Sequence, residues 1–404
     1  MIVQNTSNTT ATVTEPKWNA VYALALAVAA LITAEFLPVS LLTPMAKDLN
    51  ITEGVAGQTI SATAIAAMIA SLLVAMLTKG LNRKWVLLSF SLLQIVSNLL
   101  VVLAPNFTLL MLGRVLLGIG LGGFWAMSAA TAMRLVPKAS VPKALSIIFG
   151  ALSIATVVAA PMGSFLGGLI GWRNVFLIAA AVGVIALLWQ AVALPDMRAE
   201  SPTKFSTMFK VVQRPKVKEG MLATLFIFMG YATFFTYLRP FLEVVTGVNE
   251  TSLSTILLGF GIANFFGTTL ARLVLEKSLK YSLIIVPVLM GAIVAGLVVF
   301  GGSQFVAAAL IAFWGLTFGI IQVGWPTWLT RTLPDEAESA GGLQVAVIQL
   351  AITLGAAVGG VLFDFTGILG VYTASSIITI LSAVLTALAF KKRFLIPDNK
   401  LQKI

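Results

Sequence analysis

The stretch NAVYALALAVAALITAEFLPVSLLT (19–43) decides the fold class. It is predominantly apolar, and its one charged residue is Glu35. About 20 consecutive apolar residues are needed to cross a hydrocarbon core about 30 Å thick. A charge at the centre of such a helix costs about 2.5–3.5 kcal/mol. Chains that keep such a residue mostly use it to line a cavity, to pair with another charge, or to move protons and substrates.

Apolar runs of this kind recur along the chain. Its 404 residues are 59% hydrophobic and 10% charged, with a mean hydropathy of +1.00. Backbone groups in lipid must satisfy their own hydrogen bonds, so each run is predicted to be a helix. Because the runs do not alternate, a barrel is disfavoured. The twelve predicted spans are 19–43, 57–78, 85–104, 107–134, 142–168, 172–194, 219–242, 251–274, 282–300, 304–331, 338–364 and 368–390. The predicted fold class is an all-α polytopic membrane protein.

Basic residues predict the orientation. Most of the 26 Lys and Arg residues fall in loops that share one side when the N-terminus is inside, notably 79–84, 134–143, 272–280 and 391–393. Cytoplasmic loops carry such an excess, so both termini are expected in the cytoplasm. The net charge of +11 is thereby explained by orientation and by attraction to lipid headgroups. No nucleic-acid partner is expected.

The chain divides into two halves. We predict a cytoplasmic tail (1–18), an N-terminal six-helix bundle (19–194), a cytoplasmic linker (195–218), a C-terminal six-helix bundle (219–390) and a basic cytoplasmic tail (391–404). No cleavable signal is predicted.

Small and polar residues of the two halves match at one constant offset, which indicates a pseudo-two-fold repeat with a site at the interface. The matched pairs are Gly118 and Gly315, Gly122 and Gly319, Arg134 and Arg331, and Pro137 and Pro334. At the same offset Glu35 falls on Ala232 and Arg114 on Ile311. The two charges are therefore specific to the first half.

Glu35 and Arg114 are the candidate proton-coupling residues. At 1.5 Å per residue they lie about 12 Å and about 10 Å from the outer ends of their spans, so they could meet. Arg keeps its charge, so Glu35 is the group that titrates. Burial favours its acid form and a nearby Arg favours its carboxylate, and the sequence does not decide between them. The alternative is a permanent ion pair that fixes helix packing.

Two motifs resemble the major facilitator superfamily, within its branch of drug and metabolite proton antiporters. LMLGRVLLGIGLGG (110–123) is similar to the arginine-bearing fourth-helix motif of that family. GALSIATVVAAPMGSFLGG (150–168) is similar to the fifth-helix antiporter motif, with Gly150, Pro161 and Gly163 in place. The resemblance implies a two-bundle transporter in which these three residues serve packing and bending.

The same resemblance has departures. Ala160 and Ser164 stand where the fifth-helix motif has glycines. In KGLNRKW (79–85), which is similar to the family's gating loop, Asn82 replaces the usual Asp. A charge-based lock at Asn82 is therefore in doubt.

Within that branch the chain resembles members that export purine ribonucleosides. The stretches that carry this are EFLPVSLLTPMAKDL (35–49), GGFWAMSAATAMRLVP (122–137), IGWRNVF (170–176), FFTYLRP (234–240) and QVAVIQLA (344–351). They imply efflux of nucleosides such as inosine and guanosine, and of purine analogues, in exchange for protons across the bacterial inner membrane. Protons, a purine nucleoside and membrane lipids are the expected partners of a monomeric protein.

A purine nucleoside needs flat surfaces for its base and hydrogen bonds for its edges and sugar. Base–aromatic stacking is worth about 1–3 kcal/mol in nucleic-acid sites. Ordinary helix packing or an interfacial aromatic belt is the alternative for every aromatic residue. The candidate cavity residues are Asn98, Trp125, Tyr231, Phe235, Gln322, Trp325, Gln344 and Gln349.

Several chemistries are excluded. The chain has no His and no Cys, so it has no thiolate nucleophile and no Cys/His metal site. It has no Walker-type loop, so ATP does not drive it directly. No enzyme activity, metal or cofactor is predicted. The alternative functions are a proton-coupled exporter of other small solutes, such as sugars or lipophilic drugs, and a membrane receptor or enzyme without transport.

Overall fold

The computed structural model describes residues 15–78, 80–137, 140–197, 214, 217–333 and 337–391. Ten of its helices are long and apolar enough to cross a membrane. The first half contains α1 (Trp18–Leu49), α2 (Glu53–Leu77), α3 (Arg83–Leu103), α4 (Phe107–Leu135), α5 (Val141–Ile170) and α6 (Trp172–Ala193). The second half contains α7 (Val217–Thr236), the short α8 (Leu238–Phe241), a π-helical turn (Leu242–Thr246), α9 (Glu250–Phe300), α10 (Gln304–Thr332) and α11 (Ala337–Lys391). The expected all-α polytopic fold is confirmed.

Two of the helices are much longer than one membrane crossing. α9 has 51 residues and α11 has 55, and each is two helices joined at a kink. The kinks lie at Ser278 and at Gly367, whose φ of +70° is a conformation that favours glycine. The expected count of twelve crossings, the domain boundaries and the side on which the termini lie remain predictions.

Four helices, α2, α3, α4 and α9, begin at a side chain that accepts from a free backbone N–H group. Asn82 caps α3 by accepting from Lys84 N at 3.0 Å. Its oxygen also accepts from Met197 N at 3.0 Å, and its amide donates to Asp196 at 2.8 Å. Asn82 therefore fastens the start of α3 to the end of the first half.

The matched glycines occupy equivalent contacts in both halves. In the first half, a Cβ added at Gly118 or Gly122 would overlap a carbonyl oxygen of α2. In the second half, a Cβ added at Gly315 would lie 2.6 Å from Phe260 O, and one at Gly319 would overlap Asn264 O. Small residues let helix backbones approach closely. The sequence repeat therefore reflects a close α4–α2 contact and its counterpart between α10 and α9.

The two halves pack together toward the C-terminal end of α1 and the N-terminal end of α2. The apolar core of the second half includes first-half residues there, namely Val39, Leu42, Ala46, Ala56 and Ile60. Hydrogen bonds also cross the interface: Ser61 Oγ donates to Thr353 O at 3.1 Å, and Gln58 Nε2 donates to Ala357 O at 3.3 Å. These contacts hold both halves around a central cavity.

Candidate functional site

A cavity of about 480 Å³ lies between the halves. It is lined by α1, α2, α4 and α5 of the first half and by α7, α9, α10 and α11 of the second. Small-molecule sites are clefts of about 300–1,000 Å³, mostly apolar, with a few placed polar groups. The cavity has both the size and the composition of such a site.

Glu35, on α1, lines the cavity and is partly exposed. Arg114, on α4, is 0% exposed and lies behind α1. Its Nη1 donates to Ala34 O at 2.9 Å and its Nη2 to Glu35 O at 3.3 Å. Among the ion pairs of the described residues, none joins the Glu35 carboxylate to this guanidinium. The guanidinium therefore hydrogen-bonds the main chain of α1 at Glu35 and at the residue before it.

Pro38 explains why Arg114 reaches the backbone. A proline has no N–H, so the carbonyl four residues before it loses its helical donor. For Pro38 that carbonyl belongs to Ala34, which is the one that Arg114 Nη1 contacts. Arg114 therefore satisfies a buried acceptor that the sequence of α1 creates. Its Nε has no hydrogen-bond partner within the described part of the chain.

Aromatic side chains form two walls of the cavity. On the second half, the rings of Tyr231 and Phe318 stack with centroids 4.0 Å apart and planes 3° apart. Phe235 stacks on Tyr231 at 5.4 Å. On the first half, Trp125 stacks with Phe149 at 6.1 Å. Flat rings therefore face the cavity from both halves.

Some polar side chains of the cavity are already hydrogen-bonded within the protein, and others are available to a ligand. Thr156 Oγ1 donates to its own helix at Leu152 O, 2.9 Å away, and Asn264 Nδ2 donates to Gly315 O at 3.2 Å. Gln322 and Gln349 also line the cavity. Their side-chain amides have no hydrogen bonds to other described residues. Each amide thus offers two donors and an acceptor to a ligand.

Five of the eight predicted cavity residues line the cavity: Trp125, Tyr231, Phe235, Gln322 and Gln349. Asn98, Trp325 and Gln344 do not. Asn98 is buried on α3, which packs against α4 and α6 away from the cavity. Trp325 is buried one turn beyond Gln322 and meets Trp328 edge-to-face at 5.4 Å. Gln344 is buried as well.

Several lining residues are not among the eight candidates. Phe149, Thr156, Thr236, Asn264 and Phe318 all face the cavity. An amide within an apolar span is a usable signal, because a buried amide needs partners, and it would have found Asn264. Phe318 lies four residues before Gln322 on α10, so helical spacing puts the two on one face. Hydroxyls that bond their own helix give no comparable signal.

The three motif residues of α5 have different surroundings. A Cβ added at Gly163 would lie 2.5 Å from Ser40 Oγ, so this glycine lets α1 and α5 approach. Pro161 frees the carbonyl of Val157, and a Cβ added at Gly261 of α9 would lie 2.8 Å from that oxygen. A Cβ added at Gly150 would meet no atom within 4 Å, so close packing does not explain this position.

Comparisons with known proteins agree with this architecture. The model of the Major Facilitator Superfamily matches residues 24–352. The Purine ribonucleoside efflux pump NepI of Salmonella typhimurium (strain LT2) is 50% identical over 375 residues, which is 93% of this chain and 94% of that protein. The protein of the same name from Salmonella typhi gives the same values.

The fold is also found among solved structures. A bacterial homolog of the human lysosomal transporter Spinster, in an inward-facing and occupied conformation, has a TM-score of 0.75 at 15% identity. The structural alignment covers 92% of this chain and 96% of the Spinster homolog. The unoccupied form gives a TM-score of 0.70. The family match and the 50% identical relatives make this a transporter, and the chain belongs to the major facilitator superfamily.

Proposed function

We propose that the chain exports purine ribonucleosides, among them inosine and guanosine, in exchange for protons by alternating access. The observation that carries the proposal is the central cavity, whose lining combines stacked rings with the carboxylate of Glu35. The names of the 50% identical relatives support the substrate class. An inner-membrane location, cytoplasmic termini and a monomeric state belong to the same proposal and follow from the basic loops and the resemblance.

The cavity walls suit a nucleoside in two ways. A purine base can stack on Tyr231 or Trp125, which is worth about 1–3 kcal/mol per contact in nucleic-acid sites. Gln322 and Gln349 can then pair with the base edge or the ribose hydroxyls, since each amide both donates and accepts. Aromatic faces without amides would favour lipophilic cargo instead.

Glu35 is proposed as the proton carrier. Arg114 donates its hydrogen bonds to the Ala34 and Glu35 carbonyls, so the carboxylate that faces the cavity is free to exchange a proton. A proton from the medium neutralises that charge, and loss of the proton restores it. Coupling follows if the nucleoside binds best to one of the two states, because a ligand shifts an equilibrium only by its differential affinity.

Uptake into proteoliposomes with an acidic lumen tests the proposal. Protons leave such a lumen, so an antiporter moves inosine inward and accumulates it above the external concentration. A protonophore should release the accumulated inosine. Accumulation into an alkaline lumen would indicate symport, and equal uptake with and without a gradient would indicate no coupling.

The second candidate is an exporter of lipophilic compounds, favoured by the mostly apolar and aromatic lining of the cavity. Competition separates the two. Unlabelled guanosine should inhibit labelled inosine uptake at concentrations where lipophilic cations do not. The reverse order of potency would favour the second candidate.

A further inference from the structure

Arg239 forms a charged cluster at the end of the cavity. It lies on α8 and is 4% exposed. Its Nε donates to Glu243 Oε1 at 2.7 Å, and its Nη2 lies 3.5 Å from Glu250 Oε1. Its Nη1 donates across the interface to the main-chain carbonyl of Ser40 on α1. Nε and Nη1 of the guanidinium therefore donate hydrogen bonds, and Nη2 forms an ion pair.

The Ser40 carbonyl is available because of Pro44. Pro44 lies four residues after Ser40 within α1, so the helical donor to this carbonyl is missing. The same relation holds for Ala34 and Pro38, whose carbonyl is taken by Arg114. α1 thus has two proline-freed carbonyls, and each is filled by a buried arginine. Arg114 belongs to the same half of the protein as α1, and Arg239 belongs to the opposite half.

The carboxylates of the cluster also contact the first half. Glu243 Oε2 accepts from Thr43 Oγ1 at 2.5 Å. A Cβ added at Gly168, on α5, would overlap Glu250 Oε2. The cluster therefore joins α1 and α5 to α8, the π-helical turn and α9. Separating the halves here would leave the Ser40 carbonyl without a donor and would strip Arg239 of its acceptor on α1, which is costly for buried groups.

The cluster lies close to cavity-lining residues along the chain. Val39, which lines the cavity, precedes Ser40, and Thr236, which also lines it, lies three residues before Arg239. We propose that Arg239 on the Ser40 carbonyl is the lock that keeps this end of the cavity closed, and that Pro44 is a positioning residue that presents the carbonyl. This end opens only when Arg239 leaves Ser40. The inference rests on the alternating access proposed above.

Distances between spin labels across the lock test it. The chain has no cysteine, so labels on Lys47→Cys and Val244→Cys are unique. Lys47 lies in the exposed last turn of α1, and Val244, 71% exposed, lies in the π-helical turn. Pro44→Ala restores the helical N–H donor, which competes with Arg239 for the Ser40 carbonyl. The population at long distance should rise about threefold, and about tenfold in Arg239→Gln, where the charge-assisted bond is lost.

Two variants serve as matched controls. Pro38→Ala changes the other proline of α1, whose carbonyl is bound within the same half, and should keep the wild-type distances. Arg272→Gln removes an exposed arginine paired with Glu276 on α9 and should do the same. If Arg239→Gln fails to fold, Arg239→Lys replaces it, since one ammonium cannot reach all three acceptors.

Wild-type distances in folded Pro44→Ala would overturn the lock, and so would an equal shift in Pro38→Ala. Inosine uptake by the same preparations separates the two proposals. Distances that shift as expected in a protein that moves no inosine would preserve the lock and reject the cargo. Unshifted distances in a protein that accumulates inosine would reject the lock alone.

Discussion

Arg114 Nη1 lies 2.9 Å from the carbonyl oxygen of Ala34, the residue directly before Glu35 in α1. The guanidinium is therefore anchored to the backbone beside the acid, while the acid itself lines the cavity. This arrangement separates two tasks. Arg114 satisfies the Ala34 carbonyl that Pro38 frees, and the Glu35 side chain stays at the cavity, where we propose that it exchanges a proton.

Arg114 and Pro38 should be energetically coupled. Arg114→Ala leaves the buried Ala34 carbonyl without a donor, which should destabilise the protein by about 1–3 kcal/mol. Pro38→Ala supplies an N–H to that carbonyl, so the double variant should lose less stability than the sum of the single variants. Unfolding in detergent of all four proteins measures the coupling. Additive losses would show that the carbonyl is not what Arg114 stabilises.

Arg114→Lys should damage transport less than Arg114→Ala. A lysine keeps the charge and supplies donors, although it cannot match both carbonyl contacts of the guanidinium. Inosine accumulation in acidic liposomes compares the two variants at equal reconstituted amounts. Equally small losses of inosine accumulation in the two variants would indicate that Arg114 serves only helix packing.

Loss of the aromatic stack should weaken nucleoside binding. Tyr231→Ala removes a ring that stacks on Phe318 at 4.0 Å and faces the cavity. Inosine Kd should rise by about tenfold or more, given about 1–3 kcal/mol per base stack. Tyr231→Phe keeps the ring and should stay near the wild-type value.

Phe313→Ala is the control for that experiment, because Phe313 is an exposed aromatic residue of α10 that does not line the cavity. Binding by titration calorimetry provides the values. An unchanged Kd in Tyr231→Ala would contradict the stacking role.

The free amides should distinguish nucleosides from lipophilic cargo. Gln322→Leu removes hydrogen-bonding groups from the cavity and should raise inosine Kd by about tenfold, at about 1.4 kcal/mol for each tenfold. Gln344→Leu changes an amide outside the cavity and should leave Kd unchanged. If inosine binds equally well to both variants, Gln322 does not recognise the substrate.

Adding a side chain at either of two matched glycines should destabilise the protein to a similar extent. Gly122→Ala and Gly319→Ala each place a Cβ on a backbone carbonyl oxygen, so each should cost about 1–3 kcal/mol of stability. Gly150→Ala, with open space around its Cβ, should be nearly neutral. Melting temperatures in detergent compare the three. A neutral Gly122→Ala would mean that α2 and α4 readily move apart.

Two sequence signals, a charged residue within an apolar span and the spacing of residues on a helix, predicted part of the cavity lining. Particular residues were also misplaced, for physical reasons. Glu35 was found because a lone carboxylate in an apolar span is costly. Gln322 and Trp325 are three residues apart and share one face of α10, but helical spacing does not show where the cavity ends along that helix. Asn98 shows that a buried amide can lie inside one bundle as well as between two. Contacts between residues far apart in the sequence, such as that of Arg239 with the carbonyl that Pro44 frees, can be identified only once the fold is known.

Simultaneous measurement of inosine and proton flux in wild type and Glu35→Gln tests the central claim most directly. Wild-type protein in acidic-lumen liposomes should release protons as inosine accumulates. Glu35→Gln, still folded and inserted, should bind inosine but lose at least about nine-tenths of gradient-driven accumulation, in the usual range for a lost proton-transfer group. Wild-type coupling in Glu35→Gln would contradict the account and remove Glu35 from the proton pathway.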